Sequence, residues 1–420
     1  MSYLKENLNM EIKRYDDYID SREAWLGKVP SDWTMVLLSQ LVTPVKNKNI
    51  DLKEQNLLSL SYGKIKRKSI DSSGGLLPES FDGYNIIEAN DIVLRLTDLQ
   101  NDHTSLRVGL ATERGIITSA YTTLRPKNPK SAKFLYYLIH SFDIRKGFYG
   151  MGSGVRQGLN YDEVKKLKLP IPFVGEQEAI ADYLDSEIVR IDSIISEAKA
   201  SIEEYKAWKA SIIYEAVTKG LDPNVEMKDS GIDIIGNMPD HWTVCRLKYL
   251  CNVMTGNQDT QNADENGAYP FYVRSPIVQH SNMYTYEGEG ILMAGDGAGA
   301  GRVFHHAFGK YAIHQRVYCF HDFRNINTKY FLYFISELFK KVMDKGSAQS
   351  TVPSVRLPMI QDFVFCMPSI DEQSDIVYYL DTKCKKIDEI ISEKEVLITD
   401  LENYKKSLIF EVVTGKRKVV

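Results

Sequence analysis

The sequence predicts an α+β fold: two similar α/β modules separated by two long antiparallel coiled-coil helices, with a pseudo-two-fold relation between the halves. Three observations predict it. The segment Leu26-Gly27-Lys28-Val29-Pro30-Ser31-Asp32-Trp33-Thr34 returns as Ile235-Gly236-Asn237-Met238-Pro239-Asp240-His241-Trp242-Thr243. A second block, Pro172 to Thr218, returns without a gap as Pro368 to Thr414. Within each copy of that block lies a long stretch, free of Pro and Gly, in which apolar residues recur every three or four positions. A repeat this long in only two copies means one unit duplicated, not a solenoid.

The elements follow in order. Residues 1–20 form an N-terminal arm. Because Asp20-Ser21 matches Asp229-Ser230, the arm is expected to meet the C-terminus in a pseudo-circular arrangement. Residues 21–172 form the first α/β module, with strands at 58–62, 91–96 and 115–121 and a short helix at 133–138, from alternation and β-branched or aromatic content. The central helix occupies 173–221. Its first turn holds Glu176-Gln177, an acidic side chain at the positive end of the helix dipole. Its seam runs Leu184, Ile188, Ile191, Ile195, Ala198, Ile202, Tyr205, Trp208, Ile212. The second module, 222–367, has strands at 270–273, 291–294 and 313–318 and a helix at 329–334. The closing helix, 368–420, repeats the seam as Leu380, Cys384, Ile387, Ile391, Ile398, Leu401, Tyr404, Leu408. This is coiled-coil spacing. A helix of about 42 residues is roughly 60 Å long, and the cheapest cover for such a seam is its own repeat.

Composition sets outer bounds. With 43% hydrophobic and 26% charged residues the chain can bury ordinary cores. No apolar run approaches the roughly 18 residues of a membrane helix. The start, Met1-Ser2-Tyr3-Leu4-Lys5-Glu6, has no apolar stretch behind a basic cluster, so no signal peptide is expected. Five scattered cysteines without C-x-x-C spacing point to a reducing cytoplasm, with neither disulfides nor zinc. The balance of 52 Lys+Arg against 56 Asp+Glu does not favour a nucleic-acid partner. A local basic face can nevertheless coexist with acidic helices.

The modules share strands and a short helix but differ in their polar loops, which suggests one frame serving two recognition tasks. Arg reads guanine in bidentate fashion, Gln and Asn read adenine, Ser and Thr adapt, and Lys neutralises phosphate. On that basis the candidate DNA-contacting residues of the first module are Lys64, Arg67, Arg95, Gln100, Asn101, Arg107, Thr118, Tyr121, Ser153, Arg156 and Gln157. Those of the second are Arg274, Arg302, His314, Gln315, Arg316, Ser350, Thr351 and Arg356. A solvated surface is the competing explanation for each.

Other motifs are weaker. Phe148-Tyr149-Gly150-Met151-Gly152 has the F-x-G-x-G form of a nucleoside-cofactor loop, but it follows a helix, and no Asn-Pro-Pro-Tyr or Asp-Pro-Pro-Tyr is present to hold a flipped base. A tight turn is expected there. Gly295-Asp296-Gly297-Ala298-Gly299-Ala300-Gly301 lacks Gly-Lys-Ser/Thr and is no P-loop. It suits a bulged hairpin or a backbone lying close to a phosphate. His305-His306 lacks further metal ligands at suitable spacing, and the chain specifies no catalytic triad and no metal site.

Together these motifs resemble, over nearly the whole chain, the specificity subunit of type I restriction-modification systems. The resemblance rests on Trp25-Leu26-Gly27-x-x-Pro30-x-x-Trp33, its return from Ile234 to Trp242, and the two Glu-Gln helices. It rests also on Gly220-Leu221-Asp222-Pro223 before Lys228-Asp229-Ser230-Gly231, and on Val413-Thr414-Gly415-Lys416-Arg417. Arg95 to Asp102 with Gly115 to Tyr121 is similar to one recurrent type of target recognition domain. The resemblance implies that each module is a target recognition domain reading half of a split site in double-stranded DNA. The helices would set the spacer and dock two modification subunits, which carry S-adenosylmethionine and methylate adenine. Two restriction subunits with ATP and Mg are a further implied partner, and the chain itself would hold no cofactor and catalyse nothing. Two alternatives stand beside it: a self-contained DNA adenine methyltransferase, and a coiled-coil scaffold that binds no DNA. Methylation by the purified chain alone would favour the first; negligible, salt-insensitive DNA binding would favour the second.

Overall fold

The computed structural model describes residues 13–68, 80–99, 106–151, 158–346 and 353–419. Two long helices dominate, Val174–Lys219 and Ile370–Val413. Glycine stands only in the first turn of Val174–Lys219, and proline in neither, so nothing interrupts their backbone ladders. Both stop at glycines with left-handed φ, Gly220 at +76° and Gly415 at +71°. Packing enforces the second stop too, because a Cβ on Gly415 would lie 2.3 Å from Pro30. The chain divides into two compact units: residues 1–197 with 396–420, and residues 198–395. Each unit therefore joins one α/β module to half of each long helix.

In unit 1 the strands are β1 (Tyr18–Asp20), β2 (Lys28–Pro30), β3 (Thr34–Leu37), β4 (Val42–Pro44), β5 (Leu58–Ser61) and β6 (Lys64–Arg67). They continue with β7 (Asn85–Ile87), β8 (Ile92–Leu94), β9 (Val108–Leu110), β10 (Gly115–Ile117), β11 (Thr122–Pro126) and β12 (Lys168–Ile171). A four-stranded sheet runs β4-β11-β8-β9, and β1–β2, β3–β12, β5–β6 and β7–β10 form pairs. The helix Ala132–Ile144 buries Phe134, Leu135 and Leu138 in one core with Trp33, Leu184, Ile191, Leu408 and Val412. Here the long helices run antiparallel: Lys405 donates to Asp192, while Tyr183, earlier on the first helix, lies near Arg417, just past the end of the second.

In unit 2 the strands are β13 (Met227–Asp229), β14 (Asn237–Pro239), β15 (Thr243–Arg246), β16 (Asn252–Thr255), β17 (Tyr269–Tyr272) and β18 (Gln279–Ser281). Then come β19 (Tyr286–Glu287), β20 (Gly290–Ala294), β21 (Phe304–Ala307), β22 (Lys310–Ile313), β23 (Val317–His321) and β24 (Val364–Met367). The sheet β16-β23-β20-β21 repeats that of unit 1, as do the pairs β13–β14 and β15–β24. A second sheet, β18-β17-β22-β19, is particular to unit 2 among the described residues. The helix Thr328–Gly346 packs Tyr330, Phe331, Phe334 and Leu338 against Trp242, Phe365 and Leu380. The long helices are antiparallel here as well: Lys209 donates to Asp388 at 2.6 Å, and Lys394 lies over the Tyr205 ring.

The arm's expected meeting with the C-terminus is observed. Lys418 N–H donates to Lys13 O at 2.8 Å, and Tyr18 Oη donates to Gly415 O at 3.0 Å. Three expectations need correction. The strand foreseen at 115–121 stops at Ile117, where the chain turns. The strand foreseen at 313–318 is two strands, because the segment between them turns. Trp208 is off the seam and 52% exposed; three- and four-residue spacing marks a stripe, and a bulky ring at its margin has room to swing outward.

Candidate nucleic-acid interface

The densest candidate cluster lies in unit 2, where β17 and β22 run parallel and their C-terminal ends meet the C-terminal end of β20. Between β22 and β23 the chain reverses at His314-Gln315-Arg316: Val317 N–H donates to His314 O at 2.9 Å. The ring of His314, 2% exposed, braces the reversal, its Nδ1 accepting from Arg316 N–H at 2.9 Å. Nδ1 is thus unprotonated, and burial, aided by the nearby Arg274 charge, holds the imidazole below its ordinary pKa. His314 is therefore a neutral strut stacked near Phe271, and its proposed direct DNA contact is corrected. The strut leaves Gln315 and Arg316 exposed at the tip.

Two carboxylates hold this tip. Gln315 Nε2 donates to Asp259 Oδ2 at 3.0 Å. Arg274 Nη1 donates to Asp296 Oδ1 at 2.9 Å, and Arg316 Nε lies 3.7 Å from Asp296 Oδ2. The glycine run allows this convergence. A Cβ on Gly299 would meet Arg274 O at 2.6 Å, and one on Gly295 would meet Arg316 O at 2.9 Å. A cleft of about 360 Å³ opens beside it, lined by Arg274, Ser275, Gln279, Asp296 and Gly297–Gly299. Of the remaining candidates in this unit, Arg302 ion-pairs with Asp344 on the helix Thr328–Gly346. Arg356 is exposed just before a short helical turn, Leu357–Gln361. Ser350 and Thr351 lie outside the described residues. His305 and His306 bond Ser275 O and Glu289, and no metal-binding cluster occurs among the described residues.

In unit 1, β5 and β6 form a hairpin closed by Tyr62 and Gly63, with φ of 48° and 76°. Two positive φ values define the tight turn whose twist suits a hairpin. Ile65 packs inward on Leu58 and Leu60, so the alternation of a strand sends Lys64 and Lys66 outward. Tyr62, 78% exposed, stands at the tip. Arg67 points the other way and makes a bidentate ion pair with Glu113. Thr118 and Tyr121 close the turn after β10, with Tyr121 N–H donating to Thr118 O at 3.2 Å, and both are half-buried. Arg95 is half-buried at the end of β8.

Arg107 is a further correction. It is 0% exposed, and its guanidinium donates to Arg95 O, Thr97 O, Asp98 O and Tyr149 Oη. A cation so enclosed cannot touch DNA. Gln100, Asn101, Ser153, Arg156 and Gln157 lie outside the described residues. The expected tight turn at Phe148-Tyr149-Gly150 is a 3-10 turn, Gly147–Gly150, with Phe148 in the core.

Sequence reasoning missed Tyr62, Asp259 and Asp296. A search for Arg, Lys, Gln, Asn, Ser and Thr does not reach the aspartates, yet a carboxylate can hold a guanidinium or accept from a cytosine amine. Tyr62-Gly63 between two short alternating strands carried the hairpin signal.

Comparison with known proteins bears on the chain's family and fold. Residues 30–204 and 239–399 match the family described as type I restriction modification DNA specificity domain. The chain is 22% identical over 420 aligned positions to the type I restriction enzyme MjaVIII specificity subunit of Methanocaldococcus jannaschii, covering 93% of this chain and 94% of that one. It is 26% identical over 181 residues to the EcoDI specificity subunit of Escherichia coli, which spans 43% of this chain and 40% of that protein. In fold it is similar to a chain solved in a study of complex assembly and conformational transition of the type I R-M system. That likeness has a TM-score of 0.69 at 15% identity and covers 92% of this chain and 99% of the other. The HsdS subunit from Thermoanaerobacter tengcongensis is similar at a TM-score of 0.50 and 14% identity, over 92% and 98%. With matched segments in both copies of the repeat, the chain belongs to the type I restriction modification DNA specificity family.

Proposed function

We propose that each unit reads one half of a bipartite site in double-stranded DNA, and that the two long helices fix the number of base pairs between the halves. The observation that carries this reading is the exposed Gln315-Arg316 tip beside Arg274, held by Asp259 and Asp296 on a rigid turn. Arg and Gln are the side chains that pair bidentately with guanine and adenine, and preorganised groups discriminate best. The Lys64–Lys66 strand face of unit 1 supplies phosphate contacts. Catalysis belongs to partners: two modification subunits docked on the helices methylate adenine from S-adenosylmethionine, and restriction subunits using ATP and Mg add cleavage. The cytoplasm, where the chromosome lies, is the proposed compartment.

The test is a genome-wide map of methyladenine in a host with and without this chain. A bipartite motif that vanishes on deletion is expected. Arg316→Ala should relax one half by roughly 1–3 kcal/mol per lost base contact. Lys64→Ala should weaken binding to all sequences alike and flatten the salt dependence by about one counterion. Methylation by the purified chain without partners would reject the proposal, as would DNA binding by the assembled complex that ignores salt.

A further inference from the structure

We propose that Arg107 is a positioning residue for base recognition: its buried guanidinium fixes the loop Arg95–Leu99 in the conformation that presents Thr97 and Asp98 to DNA. This rests on the half-site reading above.

The loop has an unusual backbone. Arg107 Nη1 donates to Arg95 O at 3.2 Å and Thr97 O at 2.7 Å, and Nη2 donates to Asp98 O at 3.1 Å. The remaining carbonyl, Leu96 O, accepts from Leu159 N–H at 2.9 Å. Three of four consecutive carbonyls thus turn to one guanidinium and the fourth to the backbone of Leu159, a pattern of no regular strand. Asp98 has φ of 59°, a left-handed conformation that L residues other than glycine, asparagine and aspartate seldom adopt. The chain would leave this arrangement without something rigid to hold it. The planar fork of arginine, with five fixed N–H donors, is suited to that task and a lysine is not.

The loop's side chains divide accordingly. Leu96 and Leu99 are buried anchors, while Thr97 and Asp98 are exposed. A buried cation is a costly way to fill a core, since apolar residues of similar volume serve stability as well or better. The cost is met here by a whole support: Tyr149 takes Arg107 Nε at 3.0 Å and offers its ring face, and Asp143 Oδ2 accepts Arg107 N–H at 2.6 Å. Through Tyr149 the same guanidinium ties the loop to the turn Gly147–Gly150.

The repeat says where this loop belongs. β8 in the sheet β4-β11-β8-β9 holds the place of β20 in β16-β23-β20-β21. The loop after β20 is the one that carries Asp296 beside Arg274 and Arg316. The loop after β8, at the same topological position, is Arg95–Leu99.

The test uses the full chain assembled with its modification subunits. Methylation is measured on the cognate site and on sites with one base changed in either half; the half read by unit 1 is the one that Arg316→Ala leaves intact. Arg107→Lys keeps the charge and loses the fork. It should cut discrimination in the unit 1 half about tenfold and leave the other half unchanged. Tyr149→Phe, a milder change that folds more readily, should shift the same half in the same direction by less. A lower Tm with discrimination intact in both halves would make Arg107 a stability residue and overturn the proposal. Equal loss in both halves would overturn it too. Wild-type protein that discriminates no base would sink the half-site reading, and this inference with it.

Discussion

Units 1 and 2 differ least where they touch the long helices and most where they are free to meet another molecule. In unit 1, Asp185 accepts from Lys133 Nζ at 2.5 Å and Tyr137 Oη at 2.6 Å; in unit 2, Asp381 accepts from Lys329 at 2.6 Å and Tyr333 at 2.8 Å. Gln177 Nε2 closes on Pro172 O, and Gln373 Nε2 on Pro368 O. Asp192 with Lys405 and Asp388 with Lys209 are the same two repeat positions bonded reciprocally, one partner from each copy. Outside this frame the units part company. Unit 1 has a lysine hairpin and a buried arginine clamp; unit 2 has a second four-stranded sheet and an arginine pair on a shared carboxylate. Contacts between a module and its helix segments are fixed by buried partners on both sides, whereas exposed loops answer only to what they bind.

One frame position breaks the symmetry. Glu372 accepts from the Trp242 indole N–H at 3.0 Å. Its counterpart Glu176 accepts instead from Tyr15 Oη of the N-terminal arm at 2.5 Å, and the buried indole N–H of Trp33 has no partner among the described residues. The glutamate at this repeat position therefore bonds the arm in one copy and the tryptophan in the other.

The largest effect expected from this comparison is on the cores. Leu184→Ala and Leu380→Ala, both fully buried, should each cost about 2–5 kcal/mol in denaturant unfolding. A difference beyond about 1 kcal/mol would show that the two frames are not energetically alike. Next, Asp185→Asn and Asp381→Asn should each cost about 1–2 kcal/mol, mostly through the half-buried tyrosine hydroxyl, because the lysine partner is half exposed and screened. Tyr15→Phe, which has no counterpart in unit 2, should cost about 1 kcal/mol. Thermal melts of single-tryptophan variants would place that loss at Trp33 and not at Trp242; a shift at Trp242 would refute the assignment.

The smallest effect is a pair of opposed titrations in unit 1. Burial pushes His140 down to about 4 from 6.5, and burial pushes Asp143 up to about 6 from 3.8. As pH falls from 6.5 to 4 the unfolded chain takes up the histidine proton and the folded chain does not, so stability is lost. Over the same window the folded chain takes up the Asp143 proton first, so stability is gained. The two largely cancel. Asp143→Asn should therefore steepen acid destabilisation, and His140→Gln should flatten or reverse it. Parallel stability–pH curves for both variants and the parent would contradict the cancellation.

The repeat was legible in the sequence, and so were the helices: apolar residues spaced by threes, fours and one seven, over about eight turns free of Pro and Gly, are the pattern of a long amphipathic helix. The candidate surface was legible only in part. Arg274, Gln315 and Arg316 were named from residue type, and they do converge. Arg107 carried the same type and is buried. Nothing in Leu106-Arg107-Val108 says whether the guanidinium will point to solvent or to backbone carbonyls thirty-odd atoms away along the chain. The strand expected at 313–318 failed for a related reason, because alternation continues straight through a turn whose only mark is a histidine able to brace it.

What the sequence by itself determined is the duplicated frame, since periodicity and repetition are local and additive along the chain. What only the tertiary structure decided is which charges are tools and which are struts. Asp296 beneath Arg274 and Arg316, and Arg107 beneath Thr97 and Asp98, are decided by how strand ends meet in space. The energy of a charge depends on its surroundings, and those are assembled from residues far apart in the chain.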